Sequence, residues 1–261
     1  MRSEPVLLVG TIGLMTLQEY LAALDADGNA FAEAAVGNLR APVSSCPGWT
    51  VADLVYHLGV VHRSWTSIVA ERRTEVEHID LPARPDDDDL VAWYRDGLTD
   101  MRTTLAAADP ATPIWTWAPQ KDVAFVQRRM AQETAVHRWD AQLAAGVGGP
   151  IDPPLAVDGI DEYLRFMLGL GGGERGEPVG GSVHLHVTDD DLPENLVGEW
   201  MVHFDGDTPL VTTGHDKGDA ALRGSASDLL LGLWRRLPME ALDVVGDRAV
   251  AARFLALSEL A

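Results

Sequence analysis

A break between residues 148 and 154 most constrains how this chain of 261 residues can fold, because the sequence patterns on its two sides differ. Glycine and proline dominate the break, as Gly148-Gly149-Pro150 and Pro153-Pro154, and such stretches are typical of linkers between domains. Apolar residues recur at helical spacing before it, whereas short runs alternate apolar and polar residues after it. The sequence therefore predicts a two-domain α+β protein, with domains over residues 1–150 and 151–261.

The first domain is predicted to be an antiparallel four-helix bundle, because it contains four long helical segments joined by loops. The predicted helices cover residues 16–39, 51 to about 72, a third segment from the acidic run at 86–89 to about 108, and about 123–145. Thr50 and Asp53 have the spacing of a capping box, which predicts the start of the second helix. Residues 1–15 are interpreted as an extension that precedes an alternative start at Met15, since ten apolar residues are too few to cross a bilayer.

The second domain is predicted to be a smaller α+β sheet domain. Short alternating or apolar runs predict strands over residues 182–188, 199–204, 209–213, 220–223 and 242–245. Asp205-Gly206-Asp207 is typical of a hairpin turn between the second and third of these strands. Helices are predicted over residues 156–170, 225–237 and 247–257.

Composition excludes several kinds of partner. The formal charge is −20, and a chain this acidic is a poor match for nucleic acid or for anionic lipid, which are bound through Lys and Arg. The single cysteine, Cys46, allows no intrachain disulfide and fits a reducing compartment, so we expect the cytoplasm. Cys46 itself is interpreted as part of a turn before the second helix and not as a catalytic thiol.

A candidate metal site is the most informative feature of the first domain. Glu133 and His137 are four residues apart on one predicted helix, so both can reach a single cation. His57, on the second predicted helix, has apolar neighbours that predict burial, and it can point to the same place in a bundle. His62, five residues further on, is off that face of the helix and is predicted to be peripheral. Asp53 and Asp140 could accept the second ring N–H groups of the two histidines. An ordinary surface Glu–His pair is the alternative, and the predicted burial of His57 is what favours a catalytic metal site.

Two motifs in this domain resemble those of a known family. The segment from Cys46 to Leu58 resembles the signature of the mycothiol-dependent maleylpyruvate isomerase family, in its DinB-like N-terminal domain. The segment from Gln132 to Ala141 is similar to that family's second metal motif. Gly214-His215-Asp216 and the segment from Arg223 to Leu230 resemble its C-terminal domain, which is similar to a sterol-carrier fold. The resemblance covers nearly the whole chain from Met15.

The resemblance implies a divalent metal, commonly zinc, at His57, Glu133 and His137, and mycothiol as a thiol cosubstrate. It also implies an activity: a thiolate adds to the cis double bond of maleylpyruvate, the bond rotates, and the thiol is expelled. Because a metal can generate the thiolate, such a protein needs no nucleophile of its own. The implied partners are a small-molecule substrate and a low-molecular-weight thiol; the sequence indicates no oligomeric state.

The substrate would be a dianion, so an acidic chain needs a local basic pocket. Arg223 and Arg236 are predicted to bind its carboxylates, because the arginine fork suits a carboxylate. Arg235, Arg128 and Arg129 are further candidates. The second domain is then expected to close over the metal cleft.

Two functions other than isomerisation remain open at this point. The same activated thiol could be transferred permanently, which would make the protein a mycothiol S-transferase. Alternatively, the chain could be a non-catalytic ligand-binding or regulatory protein that keeps the bundle. In the second domain, His184, His186 and His203 could form another metal site, but a sheet face with hydrogen-bonded or exposed histidines is the simpler interpretation.

Overall fold

The computed structural model describes residues 15–76, 78–79, 82–168, 178–194, 196–205 and 208–257. The chain divides into two compact units, one comprising Thr16–Pro150 and the other containing Ile151–Ala261. The first is a helical bundle and the second contains a five-stranded sheet, so the predicted two-domain α+β class is confirmed. The predicted N-terminal extension falls on residues 1–14, outside the described residues.

The bundle contains four helices: α1 (Leu17–Ala35), α2 (Val51–Ala70), α3 (Asp87–Ala107) and α4 (Val123–Ala144). The predicted capping box starts α2, because the Thr50 side chain accepts from the Asp53 N–H and the Asp53 side chain accepts from the Thr50 N–H. The first helix ends four residues earlier than the sequence predicted. Gly37, with a φ of 76°, adopts a left-handed conformation just beyond it, which is typical of a helix end.

Helix α4 packs against both α1 and α2, and most of its residues are buried. Successive contacts join His57 to His137, His62 to Thr134 and Trp65 to Phe125. Since the residue numbers rise on α2 while they fall on α4, the two helices are antiparallel. This pairing brings the first half of α2 beside the second half of α4, where the candidate ligands lie.

Helices α2 and α3 run in the same direction, because Tyr56 meets Trp93 and Thr66 meets Met101. A helix of 20 residues is about 30 Å long. The connection over residues 71–86 can return along that length, since an extended chain spans up to about 3.3 Å per residue. The long connections therefore permit parallel neighbours that short loops would forbid.

The second unit is built on a mixed sheet with the strand order β3-β2-β1-β4-β5. Its strands are β1 (Val183–Val187), β2 (Glu199–Asp205), β3 (Thr208–Thr213), β4 (Ala220–Gly224) and β5 (Asp243–Gly246). Only β1 and β4 pair in parallel among these strands; the other neighbours are antiparallel. The predicted hairpin turn falls partly on residues 206 and 207, which are outside the described residues.

Three α-helices accompany the sheet in the part of this unit that the structure describes: α5 (Pro153–Glu162), which continues as a π-helical turn over Tyr163–Met167, α6 (Ala226–Leu233) and α7 (Arg248–Ala256). A short 3-10 helix lies at Met239–Ala241. Helices α6 and α7 pack on β1, where Val183 and Leu185 are fully buried. Side chains alternate along a strand, so His184 and His186 lie on the other face of the sheet. None of the helices in the described parts of the chain has the length and apolar character needed to cross a membrane.

Candidate metal centre

The structure brings the three predicted ligands of the bundle together. His57 Nε2 lies 3.5 Å from Glu133 Oε1, and His137 Nε2 lies 3.3 Å from the same oxygen. The two imidazole rings meet edge to face, with centroids 5.2 Å apart. One donor atom from each residue lies within 4.8 Å of the others, so the three side chains converge on one point.

The local fold explains this convergence. Glu133 and His137 lie one turn apart on α4 and therefore share a face. His57 comes from the facing helix α2, where the Trp49 ring packs edge-on against it at a centroid distance of 5.2 Å. Because two helices supply the donors, the arrangement depends on their packing and not on a single local motif.

His137 is held by a second carboxylate. Its Nδ1 lies 2.9 Å from Asp140 Oδ2, and the Ser45 hydroxyl donates to the other Asp140 oxygen at 2.6 Å. Burial lowers the pKa of His137, but the hydrogen bonds to Asp140 and Glu133 outweigh it and raise the pKa to about 9. Asp140 thus fixes the ring orientation and leaves Nε2 directed at Glu133, as the outer partner of a metal-bound histidine does.

Glu133 is held by Arg129. Arg129 Nη2 donates to Glu133 Oε2 at 2.7 Å, and Arg129 is almost completely buried. Burial raises the pKa of the Glu133 carboxyl, yet the Arg129 charge and the two histidines keep it well below its usual range. Arg129 was a candidate for binding substrate carboxylates, and its guanidinium instead binds this carboxylate and keeps Glu133 ionised.

Asp53 does not support His57, contrary to the sequence prediction. Its Oδ2 accepts from the backbone N–H and from the hydroxyl of Thr50, at 2.9 and 2.7 Å, and within the described residues it has no hydrogen bond to His57. These two bonds lower the pKa of the Asp53 carboxyl. The Asp53 carboxylate is therefore engaged at the start of the helix, one turn before the His57 ring.

The burial of the two histidines on α2 differs from the sequence prediction. The His57 side chain is 35% exposed, whereas His62, predicted to be peripheral, is fully buried. His62 Nε2 lies 3.0 Å from the Thr134 hydroxyl and its ring packs against Tyr94. His62 therefore belongs to the bundle core, while His57 is partly accessible to solvent.

The donor set fits a divalent cation. Two imidazoles and one carboxylate are the ligands that zinc takes in catalytic sites, where further positions stay open. Asp140 and Arg129 hold two of the donors in place, and the partial exposure of His57 leaves one side accessible.

Comparison with protein-family models places each half of the chain. The model of the mycothiol maleylpyruvate isomerase N-terminal domain matches residues 17–142. The model of the MDMPI C-terminal domain matches residues 154–253. The chain belongs to the mycothiol maleylpyruvate isomerase family. The resemblance noted in the sequence is thereby confirmed.

Solved structures of this family share the fold. Two crystal structures of mycothiol-dependent maleylpyruvate isomerase match the chain, one of them a mutant in which alanine replaces a histidine. Their TM-scores are 0.59 for the mutant and 0.60 for the other. Both are 12% identical to this chain, and each match covers 90% of this chain and 95% of the other. No curated protein matches the chain in a sequence comparison.

The two arginines predicted to bind substrate in this family member lie in its second unit. Arg223, on β4, forms an ion pair with Asp243, with Nη1 3.2 Å from Oδ2. Arg236 follows α6, and its guanidinium carbon lies 5.9 Å from the centre of the Trp234 ring. Arg236 and Arg235 line a cavity of about 470 Å³. Their role in substrate binding stays a prediction.

Cys46 lies in a turn, as the sequence indicated. Its N–H donates to the Val43 carbonyl, and its own carbonyl accepts from the Trp49 N–H. Gly48 has a φ of 86°, which glycine adopts without strain. The turn directs Trp49 toward His57 and places Ser45 at Asp140.

Sequence reasoning missed Ser45 and the structural role of Arg129. The i, i+4 spacing of Arg129 and Glu133 could have indicated their ion pair. Ser45 carried no comparable signal, because it is 95 residues from Asp140. Only the packing of the turn against α4 brings them together.

Proposed function

We propose that this protein is a mycothiol-dependent enzyme that isomerises maleylpyruvate from cis to trans, using a divalent cation, zinc in the first instance, held by His57, Glu133 and His137. The observation that carries the proposal is the convergence of three donors from two helices on one accessible point. Family membership supports the reaction and the thiol. The expected partners are therefore a small α-keto diacid and a low-molecular-weight thiol in the cytoplasm.

A cation at this centre would supply Lewis acidity, which lowers the pKa of a thiol and polarises a carbonyl. The residues of the chain hold the donors in the required state. Asp140 binds His137 through Nδ1, so that Nε2 is the nitrogen that faces the centre, and a cation there would replace the proton on Nε2. Arg129 keeps Glu133 ionised and fixes its second oxygen.

The proposed reaction conserves the thiol. The thiolate sulfur adds to one carbon of the cis double bond, and the electron pair moves into the conjugated carbonyl as an enolate. The former double bond is now single and rotates. The electron pair then returns, the C–S bond breaks, and the thiolate leaves with the trans double bond re-formed. No oxidant or proton is consumed over the cycle.

The carboxylates of the substrate require cationic partners. We assign this role to Arg223 and Arg236, each of which has a planar guanidinium that can bind a carboxylate through two N–H groups. Arg223 is now paired with Asp243 on an exposed surface, where an ion pair contributes little stability. A substrate carboxylate can therefore displace Asp243 at small cost.

The test is an assay of the purified protein with mycothiol and maleylpyruvate, together with metal analysis. We expect catalytic formation of the trans product with full recovery of the thiol. His57→Ala and Glu133→Gln should lose the ion of this centre and the activity together. His78→Ala removes an exposed histidine of the same unit and should retain both.

Other outcomes would replace the proposal. Stoichiometric loss of mycothiol into an adduct would indicate an S-transferase. Metal binding without turnover of any thiol-dependent substrate would indicate a ligand-binding protein. Retention of the full metal content by both ligand variants would contradict the site itself.

A further inference from the structure

A second group of metal-ligating side chains lies on the face of the sheet opposite to α6 and α7. It consists of His184 and His186 on β1, Glu199 on β2 and His215 just after β3, and we call it the sheet cluster. One donor atom from each of the four residues lies within 4.8 Å of the others. The three ring centroids are 5.0 to 6.3 Å apart. His203 is exposed and is not a member.

The sheet register builds this cluster. In the antiparallel β1–β2 pair, His186 is directly opposite Glu199, and their Nδ1 and Oε1 atoms are 2.6 Å apart. His184 precedes His186 by two residues and so lies on the same face. Its neighbour on that face across β2 is Met201, which leaves Glu199 as the nearby polar partner.

The fourth member depends on a glycine. Gly214 has a φ of 118°, and its N–H donates to the Glu199 carbonyl at 3.0 Å. Residues with a side chain rarely adopt this conformation. The resulting bend carries His215 back over the sheet, where its Nδ1 lies 3.2 Å from the Glu199 carboxylate.

His184 provides the observation that hydrogen bonding alone does not explain. Its relative exposure is 5%, and within the described residues its Nε2 has no hydrogen-bond partner. The nearest carboxylate oxygen, Glu199 Oε2, is 4.0 Å away, which is beyond hydrogen-bond distance. A buried polar atom without a partner destabilises the fold, and this one is directed at a carboxylate that two other imidazoles already share.

We propose that the sheet cluster binds one divalent transition-metal ion, preferentially zinc, at a site separate from the bundle centre. Three imidazoles and one carboxylate supply four ligands, which is the number that zinc takes in structural sites. Imidazole nitrogen selects such ions over magnesium or calcium. A bound ion would give His184 Nε2 a partner. The three imidazoles that now surround the Glu199 carboxylate would then bind the ion together with it.

The residues around the sheet cluster permit a cation to bind there. Arg223 is the β4 neighbour of His186, but its guanidinium is paired with Asp243. The His215 side chain is 74% exposed, so an ion can enter from solvent and His215 can close over it last. Tetrahedral ligands around zinc are about 3.3 Å apart. The histidine nitrogens lie 2.6, 3.2 and 4.0 Å from the Glu199 oxygens, so shifts of less than about 1 Å bring each of them to this spacing.

Because four protein ligands leave no open position, we infer that this ion stabilises the second unit and does not take part in turnover. Binding to the folded form alone raises the unfolding temperature. The inference does not depend on the isomerase activity.

The experiment is a zinc titration of the full-length protein after treatment with a chelator, with bound zinc counted per chain. Glu199→Gln and His215→Ala should each bind one zinc ion fewer than wild type. His203→Ala, which removes an exposed histidine of the same sheet face, should bind as many as wild type. His215 is mostly exposed, so its variant should fold, and circular dichroism checks this.

Glu133→Gln separates the two sites. This variant should keep the ion of the sheet cluster, and zinc should raise its unfolding temperature. In the double variant Glu133→Gln/His215→Ala that increase should disappear. Equal zinc stoichiometry and an equal temperature shift in wild type, Glu199→Gln and His215→Ala would overturn the proposal and leave the cluster as a hydrogen-bonded group only.

Discussion

Two aspartates near the bundle histidines have similar sequence positions but different roles. Asp53 precedes His57 by one turn and caps α2 through Thr50. Asp140 follows His137 by nearly one turn and holds its Nδ1. The difference arises because Asp53 is in the first turn of its helix, where an unpaired N–H group competes for it.

Asp140→Asn should weaken zinc binding at the bundle centre by about 10- to 100-fold, since the amide no longer holds the imidazole in one orientation. Asp53→Asn is the matched control. It should leave zinc affinity unchanged and lower the free energy of unfolding by about 0.3–1 kcal/mol, because the negative charge near the helix N-terminus is lost. Competition with a chelating dye measures the affinity, and urea unfolding measures the stability. Equal affinity loss in the two variants would contradict the assignment.

His62 makes the bundle sensitive to acid. Burial lowers its pKa to about 3, whereas an unfolded chain has a histidine pKa near 6.5. Between these values the unfolded state binds a proton that the folded state does not. The contribution of neutral His62 to the free energy of unfolding is therefore fully present above about pH 6.5, and it is lost as the pH falls toward 3.

Urea unfolding in the presence of a chelator should show this loss between pH 6.5 and 5. The expected slope from His62 is up to about 1.4 kcal/mol per pH unit. His62→Gln should be less stable than wild type at pH 7, because it disturbs a filled core, but it should lack this part of the slope. Identical slopes for the two proteins would show that His62 is accessible to protons in the folded state.

Helices α2 and α3 approach closely at Gly59. The Trp93 ring lies where a Cβ would be added at Gly59. The same ring stacks on Tyr56, and the Arg63 guanidinium lies over it in a cation–π contact, 4.5 Å from the ring centre. The glycine thus sets the distance between the two helices, and through α2 it affects the position of His57.

Gly59→Ala should lower the free energy of unfolding by about 1–3 kcal/mol through overpacking, even though alanine favours a helix by about 1 kcal/mol. Gly148→Ala, where nothing lies within 4 Å of the added Cβ, should change it by less than about 0.5 kcal/mol. Adding Trp93→Leu to Gly59→Ala should recover part of the loss. A stabilised Gly59→Ala variant would show that the ring moves aside freely.

The charge of the whole molecule opposes its proposed substrate. A net charge of −20 repels a dianion at distances up to the Debye length, which is about 30 Å in 0.01 M salt and about 8 Å at 0.15 M. The cationic groups that bind the substrate must act inside this field.

If the proposed function holds, kcat/KM for maleylpyruvate should increase several-fold between 0.01 and 0.15 M salt, because screening weakens the long-range repulsion. Arg223→Ala should raise KM by about tenfold, since a lost carboxylate contact is worth roughly 1–3 kcal/mol. Arg248→Ala, at another exposed arginine, should leave KM unchanged. A rate that falls with salt would mean that local positive charge dominates the approach.

Patterns along the chain were sufficient for several features of this protein. Helical spacing predicted the bundle. The proline-glycine break predicted where the four helices end and the segment that contains the strands begins. The spacing of Glu133 and His137 predicted that they share a face, and the structure shows that they do. These are local properties, since each depends on residues within one or two helical turns.

Other features depended on how distant segments pack. The exposure of His57 and the burial of His62 follow from which face of α2 meets α4, and apolar neighbours in sequence do not determine that face. Glu199 and His215 join His184 only through strand register and the bend at Gly214.

The sequence by itself thus determined the helices, the strands and the types of residue available for metal chemistry, because backbone propensity and side-chain periodicity are local. The tertiary structure alone decided which carboxylate holds which imidazole and which histidines meet. Those outcomes depend on contacts between residues far apart in sequence, whose distances follow from packing of the whole unit.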